Sequence, residues 1–193
     1  MSKLSLFMSY AVIAIFAENL VLTGGIGASR LIRAVRRPKE LLGYSLLVTF
    51  FTVAAQLLTF PLNLLIKNNA AAVYIRPVLF AVCIAVLYAG TMFFTKRFIP
   101  SVYTKHEHLF THCAFNGIVI GVPLIITLGN YSFFEALGFS VGASAGFMLA
   151  ALLVSEGLRR LDNAQLPRAF RGIPASLLYI GILSLAFAGF SGV

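Results

Sequence analysis

Charged residues are scarce in this chain of 193 residues: they make up 11% of it, whereas hydrophobic residues make up 60% and the mean hydropathy is +0.94. A soluble globular domain needs a far more polar surface, so this composition excludes that class and indicates an all-α, polytopic membrane protein. Each helical crossing needs about 20 apolar residues, which leaves room for roughly six crossings and little else. Any redox-active or nucleotide-binding head is therefore expected on a partner.

Cysteine is nearly absent as well, because only Cys83 and Cys113 occur. The two lie in separate predicted spans and form no CxxC pair, so they predict no disulfide framework. Cys83 sits in a plain apolar run and is interpreted as a small packing residue. The sequence also shows no nucleophile, base and orienting group in a recognisable set, so we expect no catalysis by this chain alone.

The net charge of +9 reflects basic connections between apolar runs, which face anionic lipid headgroups, rather than a nucleic-acid-binding surface. Spans are predicted at about residues 4–22, 41–66 (interrupted at Pro61), 73–94, 109–128, 133–153 and 173–190. Of the 15 Lys and Arg residues, only Lys3, Lys67 and Arg76 fall on the side of the termini. The positive-inside rule therefore predicts cytoplasmic basic connections and both termini outside, in the cell inner (plasma) membrane.

Polar, glycine-containing interruptions occur in the first and the fourth span, and two plainer spans follow each of them. An odd number of crossings in each half would give the halves opposite orientations. The pattern thus predicts a single transmembrane domain over 1–193, a 3+3 inverted repeat with halves 1–99 and 100–193, and broken first and fourth helices. In such folds the functional site lies near the midplane at the broken helices. The alternative is that the glycines only allow close helix packing.

The first interruption carries Glu18 and Asn19, followed by glycines up to Gly27 and then Ser29. A carboxylate within a span is by default a functional hypothesis, so Glu18 with Asn19 is a candidate ion path. Equally, Glu18 could cap the broken helix by accepting hydrogen bonds from freed backbone groups. The second interruption carries His112, Cys113 and Gly117.

Two further patterns have functional interpretations. Imidazole, thiolate and carboxylate groups bind zinc or iron, so a metal site is one interpretation of the segment 106–113. The alternation of His106 and His108 favours a strand over one helix face, however, and a loop at headgroup level explains these residues as well. The fifth span carries small residues four apart, which predicts close approach of another helix or a homodimer contact. These are Gly138, Gly142, Gly146 and Ala150.

Several motifs resemble the RnfA/NqrE family of six-span membrane subunits, found in the ion-translocating Rnf and Nqr oxidoreductases. Residues 18–22 with Gly27 and Ser29 resemble the first-half motif, and His112-Cys113-Ala114 with Gly117 resembles the second-half motif Asn-Cys-Ala-x-x-Gly. The segments 131–160, 167–172 and 185–192 are also similar to the family. This resemblance covers essentially the whole chain and is most specific in the last third.

The resemblance implies a [2Fe-2S] cluster shared by two membrane proteins, with two cysteines from this chain and two from an inverted RnfE/NqrD-like sister. Cys113 matches the second-half ligand, while Ser29 stands at the first-half ligand position and His112 replaces the family's asparagine. A serine hydroxyl is a much poorer iron ligand than a thiolate, and replacement of the missing ligand by His112 is a further hypothesis.

We therefore carry three functional hypotheses. The first is a membrane subunit of an Rnf/Nqr-type translocase, which couples electron transfer to Na+ or H+ movement while partner subunits carry the flavin, nicotinamide and iron-sulfur chemistry. The second is a cluster-less divergent paralogue that acts as a scaffold or small transporter and could form a dimer through the face of Gly138, Gly142 and Gly146. The third is an unrelated secondary transporter built from inverted repeats.

Overall fold

The computed structural model describes residues 2–35, 40–69, 71–161, 167 and 171–191, without the side chains of 101, 102, 104–106 and 191. The basic residues Arg36, Arg37 and Lys39, and most of the connection between 159 and 172, lie outside the described residues. Within them the chain is all-helical. The helices are α1 (Lys3–Ile15), α2 (Ala28–Val35), α3 (Leu41–Ile66), α4 (Ala72–Phe98), α5 (Pro100–Ala114), α6 (Gly117–Leu128), α7 (Phe133–Leu161) and α8 (Ile173–Ala188), followed by a 3-10 turn at Gly189–Ser191.

Four stretches are long and apolar enough to cross a membrane, and two shorter apolar helices accompany them. The long stretches are Leu41–Ile66, Ala72–Phe98, Glu107–Leu128 and Phe133–Leu161, and the shorter ones are Lys3–Ile15 and Ile173–Ala188. The prediction of an all-α multi-pass membrane protein is confirmed at this level. The predicted bounds of the second span coincide with α3, and α4 extends the third span to Phe98.

The first helix is shorter than the predicted span, which ran to Leu22. α1 ends at Ile15 because the Asn19 side chain replaces the next helical hydrogen bonds. Its Nδ2 donates to Ile15 O at 2.8 Å, and its Oδ1 accepts from the amides of Val21 and Leu22 at 3.2 and 3.1 Å. A side-chain amide thus stabilises the backbone groups that a broken membrane helix would leave unpaired.

Two other local predictions were wrong. α3 continues through Pro61 instead of being interrupted there, which a helix tolerates when neighbouring groups satisfy the freed carbonyl. Residues 106 and 108 lie within α5, not in a strand or loop, because Pro100 starts a helix that continues to Ala114. On this helix His108 and His112 are four residues apart and share one face.

α7 is the central helix and packs against α1, α3, α6 and α8. The glycine face meets α1: a Cβ at Gly138 would lie 2.2 Å from Phe7 O, and one at Gly142 would lie 2.3 Å from Ala11 O. The predicted close approach of another helix is therefore confirmed. Because that helix is α1 of the same chain, the prediction of a homodimer contact through this face was wrong.

Candidate functional site

The first interruption of the helices is a non-helical segment over residues 16–27, between α1 and α2. Its turns need left-handed backbone at Gly25 (φ 66°) and Gly27 (φ 84°), which favours glycine. The carbonyl of Gly27 accepts hydrogen bonds from the amides of Arg30 and Leu31 and so starts α2. Ser29 follows in the first turn of α2 with an exposed side chain.

The second interruption lies between α5 and α6, at Phe115 and Asn116. The buried Asn116 caps α6, because its Oδ1 accepts from the amide of Ile118 at 3.3 Å. Cys113, in the last turn of α5, is fully buried. The second site motif therefore runs across a true helix break, as the sequence predicted.

The two interruptions touch each other at their glycines. A Cβ at Gly117 would lie 3.0 Å from the backbone nitrogen of Gly27, and one at Gly27 would lie 2.8 Å from Asn116 Oδ1. Close backbone approach of this kind is possible only without side chains at both positions. Gly27 and Gly117, predicted as site residues, are thus brought together.

Tyr44, at the start of α3, ties the second interruption to the rest of the bundle. Its hydroxyl donates to His112 O at 3.3 Å and accepts from Asn116 Nδ2 at 3.2 Å. Its carbonyl accepts from Cys113 Sγ at 3.6 Å. Cys113 therefore lies behind Tyr44 as a hydrogen-bonded, buried thiol.

A second link between the interruptions is a hydrogen bond from an arginine to a histidine. Arg30 Nη1, on α2, donates to His112 Nδ1 at 2.5 Å, and His112 Nε2 lies 3.1 Å from His108 Nε2. Arginine can only donate, so His112 Nδ1 accepts, and the proton of the neutral ring is then on Nε2, facing His108. Both ring nitrogens of His112 are thereby engaged by protein groups.

A small cavity of about 70 Å³ opens beside this link. Basic, acidic, aromatic and apolar side chains surround it. Its lining includes Arg30, Arg33, Glu40, Tyr44, His108 and His112. His112 is thus a predicted site residue that lines a cavity.

Glu18 and Asn19, the two residues predicted to form an ion path, lie in different environments. Asn19 is buried, and besides its contacts within the break its Nδ2 donates to Gly146 O of α7 at 3.2 Å. Glu18 is exposed, and within the described residues its carboxylate accepts no hydrogen bond. Asn19 thus caps the broken helix, a role that the sequence had suggested as one alternative for Glu18.

A metal site over 106–113 finds no support in the described side chains. They include no group of three or more His, Cys, Asp or Glu residues able to hold an ion, and the side chain of His106 is outside the described set. Both cysteines are free thiols.

Sequence reasoning missed Tyr44 and Arg30, because no local pattern connects α2 or α3 to the His112 segment. Asn116 could have been found, since an asparagine before a glycine and an apolar run is an N-cap pattern.

The family model described as "Rnf-Nqr subunit, membrane protein" matches residues 7–193 of this chain. The chain belongs to the Rnf-Nqr family of membrane subunits. The family resemblance inferred from the motifs is therefore confirmed, and this family member is a multi-pass membrane protein.

Individual relatives match over nearly the whole chain. The A subunit of the Na(+)-translocating ferredoxin:NAD(+) oxidoreductase complex of Acetobacterium woodii is 31% identical over 180 residues, covering 93% of this chain and 94% of the relative. The A subunit of the ion-translocating oxidoreductase complex of Syntrophotalea carbinolica is 30% identical, with 93% of each chain covered. That of Pseudomonas paraeruginosa is 30% identical over 194 residues, covering 100% of this Rnf-Nqr chain and 98% of the relative.

Proposed function

We propose that this Rnf-Nqr protein is the A subunit of an ion-translocating ferredoxin:NAD+ oxidoreductase complex. The observation that carries the proposal is the end-to-end match to a relative named for that activity, at 31% identity with 94% of the relative covered. The contact between the two interruptions supports it, since function in broken-helix folds is located where such helices meet. The flavin, nicotinamide and ferredoxin chemistry then lies on partner subunits, and an RnfE/NqrD-like sister is the partner with which this chain would share a cluster.

The topology that we propose has six crossings, built as a 3+3 inverted repeat with halves 1–99 and 100–193. Each half begins with a broken pair, α1–α2 or α5–α6, and continues with two further helices. Both termini are placed outside the inner membrane, since the basic connections favour the cytoplasm. Labelling tests this arrangement in a Cys83→Ala background. An impermeant maleimide should modify Lys67→Cys from outside and Lys96→Cys only in inverted vesicles, and the reverse pattern would contradict it.

The [2Fe-2S] half-site implied by the family resemblance does not fit the described residues. It needs two thiolates from this chain, whereas the two interruptions supply one, Cys113, which is buried and bonded to Tyr44 O. Ser29, at the other ligand position, presents an exposed hydroxyl. Thiolates are the usual ligands of such clusters, and a hydroxyl is a weak substitute.

This misfit favours a second candidate function, a cluster-less divergent paralogue that serves as a scaffold or transporter within the same kind of assembly. Arg30 and His112 bridge the interruptions and support this interpretation, because they hold the two halves together with protein groups alone. A dimer of such a paralogue would have to use a face other than that of Gly138 and Gly142, which α1 covers.

The decisive experiment is purification of the tagged chain from native membranes with its partners. The proposed function predicts co-purification with the other subunits of the complex, and loss of ferredoxin:NAD+ oxidoreduction when the gene is deleted. A complex that keeps full activity without this chain would refute it. Iron content and electron paramagnetic resonance of the wild type, Cys113→Ala and Ser29→Cys separate the two candidates. A [2Fe-2S] signal that Cys113→Ala abolishes supports the first, and a signal seen only with Ser29→Cys supports the second.

A further inference from the structure

Polar side chains follow one face of α3 over almost its full length. At 100° per residue they fall within an arc of about 80°, and the first and last are separated by about 27 Å, close to the hydrocarbon thickness of a bilayer. They are Ser45, Thr49, Thr52, Gln56, Thr59 and Asn63, which we call the α3 polar face. The helix contains no Asp, Glu, Lys or Arg.

The α3 polar face is turned into the protein, not toward lipid. Gln56 is 2% exposed and Thr52 is fully buried, whereas Leu46 and Leu57, on another side of the helix, are 66% and 48% exposed. Polar side chains inside a membrane bundle are costly unless they face protein or a polar ligand, so their enclosure along one line calls for a function.

The neighbour of α3 across this region is α7, which runs antiparallel to it. The rings of Tyr44 and Phe147 lie 5.9 Å apart at one end, and those of Phe60 and Phe133 lie 5.3 Å apart at the other. Between these anchors α7 carries Ser140, which is buried and shares the helix face of Phe147. Polar groups thus continue from α3 onto the facing helix.

Most hydroxyl protons in this region are already used within their own helices. Thr49 donates to Ser45 O at 2.9 Å, and Thr52 to Val48 O at 2.7 Å. Similarly, Thr59 donates to Ala55 O at 2.8 Å, and Ser140 to Ala136 O at 2.7 Å. Each of these oxygens keeps lone pairs that can only accept or coordinate.

The amide oxygens complete the pattern. Gln56 Oε1 and Asn63 Oδ1 are buried and have no hydrogen-bond partner among the described residues, and Ser45 Oγ is likewise without one. Buried polar atoms are nearly always satisfied, so an unpaired carbonyl oxygen inside a membrane helix bundle indicates a ligand that meets it. The face therefore presents a row of oxygen acceptors with Gln56 near its centre.

We propose that the α3 polar face is a binding lane for Na+ and that Gln56 Oε1 is its central ligand. Oxygen atoms are the ligands that hard cations prefer, and a lane of neutral oxygens without a carboxylate suits a monovalent ion better than a divalent one. Amide and hydroxyl groups do not titrate near neutral pH, so the lane offers no group that gains or loses a proton during transport. This inference rests on the proposed ion-translocating function and moves the ion path from Glu18 and Asn19 to α3.

The test measures 22Na+ binding to the purified whole complex, without electron donors, and 22Na+ uptake into vesicles during turnover. Gln56→Leu should raise the half-saturating Na+ concentration at least tenfold in both measurements, and Thr52→Val should raise it by a smaller factor. Gln56→Glu keeps an oxygen in place and should preserve or tighten binding. Ser176→Ala, which removes a buried hydroxyl on α8 that bonds to Gly172 O, is the matched control and should leave both values unchanged.

Each outcome has one meaning. Wild-type Na+ affinity in Gln56→Leu, in a complex that elutes as an intact assembly, overturns the lane, as does uptake of H+ without any Na+ dependence in the wild type. If Gln56→Leu fails to assemble, the comparison of Gln56→Glu and Thr52→Val with the wild type decides the question. A wild-type complex without electron transfer would refute the proposed function, whereas the binding measurement would still test the lane by itself.

Discussion

The contact between the glycine face of α7 and α1 gives the sharpest test of the packing. A methyl group at Gly142 would lie 2.3 Å from Ala11 O and 2.7 Å from its Cα, whereas ordinary contacts begin near 3.4 Å. Both neighbours are backbone atoms, which cannot rotate away as a side chain can. Gly142→Ala therefore requires α1 and α7 to separate locally by about 1 Å, which costs roughly 1–3 kcal/mol in a well-packed interior.

The expected effect is large enough to measure. For a chain of this size, each kcal/mol corresponds to roughly 2–4 °C, so Gly142→Ala should lower the unfolding temperature of the purified protein by roughly 2–12 °C. The assay is loss of monodisperse elution from a sizing column after heating in detergent.

Gly90→Ala on α4 is the matched control, because a Cβ there would meet nothing within 4 Å. Alanine also favours helix over glycine by about 1 kcal/mol, so this variant should be as stable as the wild type or slightly more stable. Equal unfolding temperatures for Gly142→Ala and Gly90→Ala would refute the packing of α1 on α7.

Three further variants test the interruptions, with the same heating assay. Gly27→Ala combines a positive φ with a clash at Asn116 Oδ1 and should lose more stability than Gly25→Ala, which has the positive φ alone; equal losses would contradict the contact between the interruptions. Tyr44→Phe removes the hydrogen bonds of the hydroxyl to the second interruption and should lower the free energy of unfolding by about 1–2 kcal/mol. An unchanged unfolding temperature would contradict this prediction. Asn19→Leu leaves the backbone groups of the first break unpaired and should cost more than about 1 kcal/mol; a neutral result would show that they are satisfied otherwise.

Helix positions were predictable from sequence to the extent that they depend on local apolar length. The run 41–66 predicted α3 to the residue, and the positions of both interruptions followed from their polar and glycine residues. α7 continues beyond its apolar run to Leu161, and in this last part Glu156 pairs with Arg159 and Arg160 at 3.1 and 3.0 Å, the spacing at which helix side chains meet. The first helix was predicted too long because the apolar run continues to Leu22, past the point where the helix ends. The Asn19 side chain forms hydrogen bonds with backbone groups at and beyond Ile15, and hydropathy does not show this.

The site was predictable only in part. The motifs identified Gly27, Cys113 and Gly117, since each belongs to a recognisable local pattern. They did not indicate Tyr44, which forms hydrogen bonds with the second interruption from a helix about 70 residues earlier in the chain. Nor did they indicate the unpaired oxygen of Gln56, because the pairing of a buried polar atom depends on which groups lie across the bundle.

The sequence by itself determined the membrane class, the family and the order of the helices, because hydropathy, charge and motif content are properties of contiguous residues. Tertiary structure alone decided that α1 covers the glycine face, that Arg30 reaches His112 across 82 residues, and that the two broken helices touch at Gly27 and Gly117. The physical reason is that these contacts join segments far apart in the chain. Close backbone approach and the pairing of buried polar groups are settled only when the helices pack.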